Sequence, residues 1–471
     1  MTLLGERTLA PLDALRRQTF SSLSNRNYRR YLSGQSVSLV GTWMQTIAQS
    51  WLVLQLTSSA TALGIVIALQ TLPTLVLGPY GGLIADRMDK RRLMIGLKSV
   101  MGAQALLLGL LVITGTAHLW HVYVLAVVLG LINSFENPAR QSFVLEMVGP
   151  ADLRNAVSLN SVLVNCARAV GPAVAGLVIA YGGLAVCFLL NAASFVAVVT
   201  SLIRLDVSAL QPSKPAPRAP GQLREGLRYV SRTPALAMPL LMMALVGCFA
   251  YEFQVVLPIV ASETFARDAR TYGFLTAAMG AGAVFGGLMV AAKGRTGVRA
   301  LVLSCCAFGV AMLATALAPT LAIALIGMGL VGLASVAFQS TGNSTLQLTA
   351  APQMRGRVMA LWAVAFLGST PIGGPIAGLI SQHFGGRAGL ALGAVACLLA
   401  ALIGALVVRR ERGSARAADV IAADHPVTAP SDPLAGRARS GRPPHPSRPA
   451  RRLCRRAASP HSAAAPPVRS R

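Results

Sequence analysis

Apolar residues fall in long blocks along this chain. They show neither the every-other-residue pattern of a half-buried strand nor the one-sided stripe of a soluble helix. The blocks lie near 35–56, 62–85, 93–115, 120–138, 156–180 and 183–203, then near 235–260, 272–292, 298–317, 320–341, 357–380 and 387–408. A helix rises about 1.5 Å per residue, so about 20 apolar residues cross a hydrocarbon core roughly 30 Å thick. A soluble domain buries one or two such segments, whereas this chain carries them in series. The pattern predicts an all-α polytopic membrane protein with 12 transmembrane helices.

Polar positions gather between the blocks, and their sign orients the chain. In "GGLIADRMDKRRLM" (81–94), six of the seven residues from Asp86 to Arg92 are ionisable, although only 12% of the chain is charged. Cytoplasmic loops carry the Lys and Arg excess, and acids count for little. With the N-terminus inside, 37 of the 42 basic residues fall in cytoplasmic segments, and only Arg267, Arg270 and Arg387 fall outside. Both termini are therefore expected in the cytoplasm. The basic first segment is unlike a cleavable leader.

An internal echo supplies the next level of organisation. "DLRNAVSLNSVLVNCARAVGPAVAGLVIAYGG" (152–183) recurs loosely as "QMRGRVMALWAVAFLGSTPIGGPIAGLISQHFGG" (353–386), with Gly171-Pro172 matching Gly374-Pro375 and Gly182-Gly183 matching Gly385-Gly386. Two six-helix halves in parallel orientation are expected. The boundaries read as an N-terminal segment 1–33, an N-terminal half 34–204, a cytoplasmic linker 205–233, a C-terminal half 234–408 and a basic, disordered tail 409–471. Within the linker, "GQLREGLRYVSR" reads as a short amphipathic helix at the membrane surface.

Composition narrows the function. The net charge of +26 owes much to the tail, where 14 Arg face 4 acids, so anionic lipid is the expected neighbour and nucleic acid is not. Seven cysteines show no C-x-x-C, and six of them lie in apolar blocks as packing residues. No phosphate loop, nucleophile elbow, H-E-x-x-H or metal-spaced His/Cys cluster occurs. The chain is therefore expected to be no enzyme, to hold no metal or cofactor, and to draw its energy from an ion gradient.

Twelve blocks, an internal repeat, a central basic loop and "GGLIADRMDKRR" together resemble the major facilitator superfamily. The turn follows its signature G-x-L-A-D-R-x-G-R-[KR]-[KR] at Gly82, Ile84, Ala85, Asp86, Arg87, Lys90, Arg91 and Arg92, with Asp89 where glycine is usual. "GTWMQTIAQSWLVLQLTSSATALG", "ENPARQSFV" and "RGRVMALWAVAFLGSTPIGG" are similar to the bacterial branch of transmembrane secretion effectors, or drug:proton antiporters, that includes the enterobactin exporter. The resemblance implies alternating access in the bacterial inner membrane, proton-coupled efflux of a small amphiphile, and a monomer. An importer or uniporter on the same fold remains open, and a passive channel or membrane enzyme fits less well.

The resemblance casts Gly82, Asp86, Arg87, Lys90, Arg91 and Arg92 as a conformational latch. Asp86 would face the N-terminus of span 11 near Arg357, where unpaired N–H groups favour negative charge, and the basic cluster would reach lipid headgroups and acids such as Glu136. The alternative is that these residues only fix topology. Gly171, Pro172 and Gly176 in span 5, with Pro371, Gly374 and Pro375 in span 11, read as a packing hinge, because small residues admit close approach and proline removes a backbone bond.

Charge inside a bilayer is costly enough to mark function. Arg168 and Glu252 sit near mid-span, and Glu136 closes span 4. Arg168 suits an anionic group and Glu252 a proton, with a structural buried pair as the alternative. The family's Arg motif within span 4 is missing, which puts this work on Glu252 and Arg168. Gln45, Gln49, Asn160 and Asn165 are expected to line the route, and Lys98 to snorkel toward the cytoplasmic face.

Overall fold

Local chemistry sets where the helices begin. Described in the computed structural model are residues 21–211, 222–293 and 296–424. Asn25 accepts from the N–H groups of Asn27 and Tyr28, opening α1 (Arg26–Thr57). Ser59 caps α2 (Ala60–Arg87) through the Ala62 N–H. Asp89 caps α3 (Lys90–Ile113), accepting from the Arg92 N–H at 3.0 Å. This explains the acid in place of glycine, since an N-cap carboxylate is worth about 1 kcal/mol to the helix it opens.

Next comes α4 (Leu119–Gly182), 64 residues long. At 1.5 Å per residue it would measure ~96 Å, about three times a hydrocarbon core. Gly149, at φ 72° and ψ 173°, divides it. Pro150 follows directly, at a first-turn position where a missing N–H costs nothing. The sequence expects a loop over 139–155, but helix continues through Pro138 to this break. Gly183 (φ 82°) then turns the chain into α5 (Leu184–Ile203).

The short helix α6 (Gln222–Ser231) precedes α7 (Pro234–Phe249) and α8 (Phe253–Ile259), which is followed by a π turn at Val260–Thr264. Then come α9 (Ala269–Lys293), α10 (Val298–Ala316), α11 (Leu321–Thr349), α12 (Arg355–Leu367), α13 (Thr370–Phe384) and α14 (Gly386–Asp424). Two apolar blocks expected as single spans are interrupted, at 250–252 and at Gly368-Ser369. Pro371, in the first turn of α13, lacks the N–H that would bond the Leu367 carbonyl, which accounts for the second break. Gly385 (φ 82°) ends α13 as Gly183 ends α4, so the repeat pairs Gly183 with Gly385, one residue away from the sequence alignment.

The described residues contain no strand, and ten of their stretches are long and apolar enough to cross a membrane, against twelve expected. Two features account for the difference. The stretch Leu119–Gly182 enters once although Gly149 divides it. Helix α1 is absent because Gln35, Gln45, Gln49 and a series of Ser and Thr dilute its apolar character.

By contacts the chain divides into Met1–Gly413 and Ser414–Arg471. Within the first unit, helices α1–α5 meet helices α7–α14 along two glycine seams. In one, α4 packs on α9: a methyl group added at Gly280 would lie 2.6 Å from Ala169 Cα, and one at Gly176 would lie 3.1 Å from Arg270 Cα. In the other, α2 packs on α13, with Gly378 against Ala60 and Thr61. There the Ala60 N–H donates to Gln382 Oε1 at 2.6 Å. Helix α8 also packs on α1 and α2. These contacts gather toward the end remote from the charged turn.

Candidate functional site

Both helix breaks open onto a cavity of about 260 Å³ between the two helix groups. Its walls come from α1 (Trp43, Thr46, Ile47), α2 (Ile67, Gln70, Thr71), α4 (Arg168), the first break with α8 (Tyr251 to Gln254), α9, α11 and the second break (Phe366, Leu367, Thr370). Interrupted helices bring backbone polar groups and side chains to mid-membrane, which bilayers tolerate only where protein or a wet cavity receives them.

Glu252 occupies the first break, 3% exposed, with Oε1 buried and lacking a hydrogen-bond partner. Its carboxyl lies against Gly373 and Gly374: a methyl at Gly373 would stand 3.1 Å from Oε1, and one at Gly374 would stand 3.4 Å from Oε2. Glycine there admits the carboxyl. Beside it, the Tyr251 hydroxyl donates to the Ser335 carbonyl at 2.9 Å, and the ring packs edge-on to Phe366 at 5.1 Å.

Arg168 faces the same cavity from α4. Its guanidinium stacks over the Trp43 ring at 5.2 Å, and its Nε is buried without a partner. No ion pair joins Arg168 to Glu252 among the described residues. The structural-pair alternative therefore does not hold in this conformation, and both groups face the shared space. An aromatic platform, one cation and one carboxyl suit a ligand with an apolar body and a polar or charged group.

The other sequence candidates separate. Gln45 and Gln49 are buried and line a smaller side pocket that shares Thr46, Ile67, Gln70 and Gln254 with the cavity. Asn160 and Asn165 are not among the lining residues; Asn165 donates to the Ser161 carbonyl of its own helix at 2.9 Å. Glu136 lies outside the cavity in a buried cluster, bonded by Lys98 at 2.9 Å and Arg140 at 3.2 Å. Lys98 therefore does not snorkel: it is 4% exposed and satisfied by Glu136. A long cation needs no route to the surface when a carboxylate waits one helix away.

At the charged turn, the structure places partners for part of the expected latch. Lys90 bonds Glu146 at 2.6 Å, both buried. Arg91 donates to the Leu202 and Ile203 carbonyls, at the C-terminal end of α5. Arg92 is exposed, 3.6 Å from Asp89, and Arg87 is exposed as well. Gly82 and Asp86 lie in α2, and the side chain of Asp86 lies outside the described residues. Arg357, at the start of the span expected to face Asp86, bonds Glu225 of α6 at 2.6 Å. The Tyr229 hydroxyl accepts from the Ala351 N–H at 3.3 Å, so α6 docks on the start of α12. Outside the membrane segments, Ser208 donates to Asp206 by hydroxyl and N–H, holding that carboxyl below its ordinary value.

The hinge candidates divide as well. Gly171, Pro172 and Gly176 lie within unbroken helix, and Gly176 and Pro172 back the α4–α9 seam. Pro371 follows the second break, while Gly374 and Pro375 sit on the α2–α13 seam against Gly64. Sequence reasoning missed Tyr272 and Thr370, both cavity residues, and Gln104 in the side pocket. Gln104 carried a signal, being the one amide in the block 93–115.

A helical bundle with a mid-membrane cavity at two interrupted helices defines a membrane transporter of the major facilitator type. The chain belongs to the transmembrane secretion effector family, whose profile matches residues 17–440. It is 29% identical to the MFS-type transporter YfiS of Bacillus subtilis over 215 residues, 45% of this chain and 50% of that one. It is 27% identical to the enterobactin exporter EntS of Escherichia coli over 364 residues, 74% of this chain and 84% of that one. Among solved structures, a bacterial homologue of the lysosomal transporter Spinster, inward-facing and unoccupied, superposes with a TM-score of 0.64 at 14% identity, covering 81% of this chain and 95% of that one. The chain is thus a transporter of small molecules and not an enzyme.

Proposed function

We propose that this transporter exports small amphiphilic molecules across the bacterial inner membrane by alternating access, taking protons inward in exchange. Counting α1 and both parts of α4 together with the ten apolar stretches supports twelve crossings in two six-helix halves, and the charge asymmetry supports placing both ends in the cytoplasm. The positive-inside rule puts the charged turn in the cytoplasm, so the glycine seams close the periplasmic end and this conformation faces inward.

The observation that carries the reading is Glu252, a buried carboxyl with an unpartnered oxygen, at a helix break in the same cavity as Arg168. Such a group is cheap to bury when protonated and costly when charged, so proton binding and ligand binding compete within one space. In the outward-facing state Glu252 takes a proton from the periplasm. Facing inward it releases the proton to the cytoplasm, and an amphiphile enters between Trp43, Tyr251 and Phe366. The loaded cavity then turns outward, and the gradient drives the reprotonated form back inward. An exporter among the relatives supports the direction.

In proteoliposomes with the membrane potential clamped, an imposed pH gradient is expected to drive uphill movement of tetraphenylphosphonium with counterflow of protons. Glu252→Gln is expected to keep binding and lose at least tenfold in uphill rate. Equal uphill transport by the variant would remove Glu252 from the coupling, and wild-type movement indifferent to the gradient would remove proton exchange.

A further inference from the structure

Next to the cavity lies a pocket of different chemistry, about 50 Å³ in volume, walled by α1, α2, α3 and α5 and touched by Gln254. None of its lining residues is ionisable, and five of them are glutamines with an asparagine beside them. Space of that size admits about three or four water-sized atoms, since each needs roughly 10–15 Å³ on this measure. It connects to the main cavity through four shared residues, Thr46, Ile67, Gln70 and Gln254.

The amides in this wall are oriented by a one-way relay. The Ser194 hydroxyl, which donates to the Asn191 carbonyl at 2.7 Å, also lies 3.0 Å from Asn191 Oδ1; Asn191 Nδ2 donates to Gln45 Oε1 at 2.6 Å, and Gln45 Nε2 donates to Gln104 Oε1 at 2.9 Å. Each donation fixes the next amide, so the relay ends on a donor. That donor, Gln104 Nε2, is buried and has no partner. Gln104 and Asn191 are 4% and 1% exposed. An orphaned amide donor in an uncharged, water-sized recess costs about 1–3 kcal/mol unless an acceptor arrives.

We infer that this pocket is a subsite for an uncharged, hydrogen-bonding substituent of the transported molecule: a hydroxyl, carbonyl or ether oxygen that accepts from Gln104 Nε2. The inference rests on the main cavity's holding the apolar body. It deepens the substrate class from small amphiphile to apolar molecule bearing a neutral polar head, with Gln104 and Gln49 as specificity-determining residues. A cation without acceptors binds beside Glu252 and leaves the pocket unused.

The test compares two probes on purified full-length protein, read by equilibrium binding. Chloramphenicol carries hydroxyls and an amide on an aromatic body, and tetraphenylphosphonium carries no hydrogen-bonding group. Gln104→Leu is expected to weaken chloramphenicol about 3- to 10-fold, the worth of one hydrogen bond, and to leave tetraphenylphosphonium within twofold. Gln49→Leu, outside the relay, serves as the second variant should the first lower the melting temperature. Equal chloramphenicol binding by wild type and both variants overturns the inference. So does wild-type protein that binds tetraphenylphosphonium and not chloramphenicol, with the cavity reading left standing. Wild-type protein that binds neither probe withdraws both.

Discussion

Burial without a cationic partner among the described residues distinguishes Glu252 from every other buried acid named above. Glu136 and Glu146 are equally enclosed, yet each faces a lysine within 2.9 Å, and Glu136 has Arg140 as well. Paired carboxylates stay charged and hold helices together, so the Lys98–Glu136–Arg140 cluster is expected to be structural. Lys98→Met leaves Glu136 with Arg140 alone; stability should fall by about 1–3 kcal/mol, read as a lower melting temperature, with binding of tetraphenylphosphonium unchanged. Lost binding at an unchanged melting temperature would put the cluster in the transport site. Sequence alone marked Glu252 and Arg168, because a charge in an apolar block is conspicuous, and both line the cavity. It misjudged Lys98 because the partner sits 38 positions further along the chain, and no local pattern shows which helix faces it.

At the scale of helices, glycine decides where the two groups touch. A methyl at Gly280 would stand 2.6 Å from Ala169 Cα and 2.9 Å from the Arg168 carbonyl oxygen, both backbone atoms that do not swing away. Gly280→Ala is expected to cost about 1–3 kcal/mol by overpacking the closed seam. If that seam must part during transport, the variant spends more time open at that end: a thiol reagent applied from the periplasm should label a cysteine at Thr276 faster than in the wild-type background. Unchanged labelling with an unchanged melting temperature would mean that the seam is not the gate. The helix positions were legible from the apolar blocks, and Pro371 announced the second break. The break at Ala250 to Glu252 was not legible, since "CFAYEFQ" holds neither glycine nor proline; there the Tyr251 ring packs against Phe253, Phe308 and Phe366, contacts that no local pattern shows. The docking of α6 on α12 was likewise hidden, because a ten-residue amphipathic helix suits a membrane surface and a protein surface equally well.

Across the whole bundle, the glycine seams lie toward one end and the charged turn lies at the other. Among the described residues, no ion pair joins α1–α5 to α7–α14 at the charged end; the pairs there lie within the first group or tie α6 to α12. If that end closes and parts as proposed, a shift of a few kcal/mol from ligand or proton suffices to exchange the inward- and outward-facing forms. The transporter class was readable from block length, charge asymmetry and the turn signature. The cavity was not, because it forms where residues from the two helix groups converge. The most direct measurement is a pair of spin-label distances, taken with the seven native cysteines replaced: Met88 to Gly356 at the charged end, and Leu56 to His383 at the sealed end. Raising the pH with tetraphenylphosphonium present should shorten the first and lengthen the second in the same sample. Distances that move in the same direction, or that stay fixed while transport proceeds, would contradict alternating access in this protein.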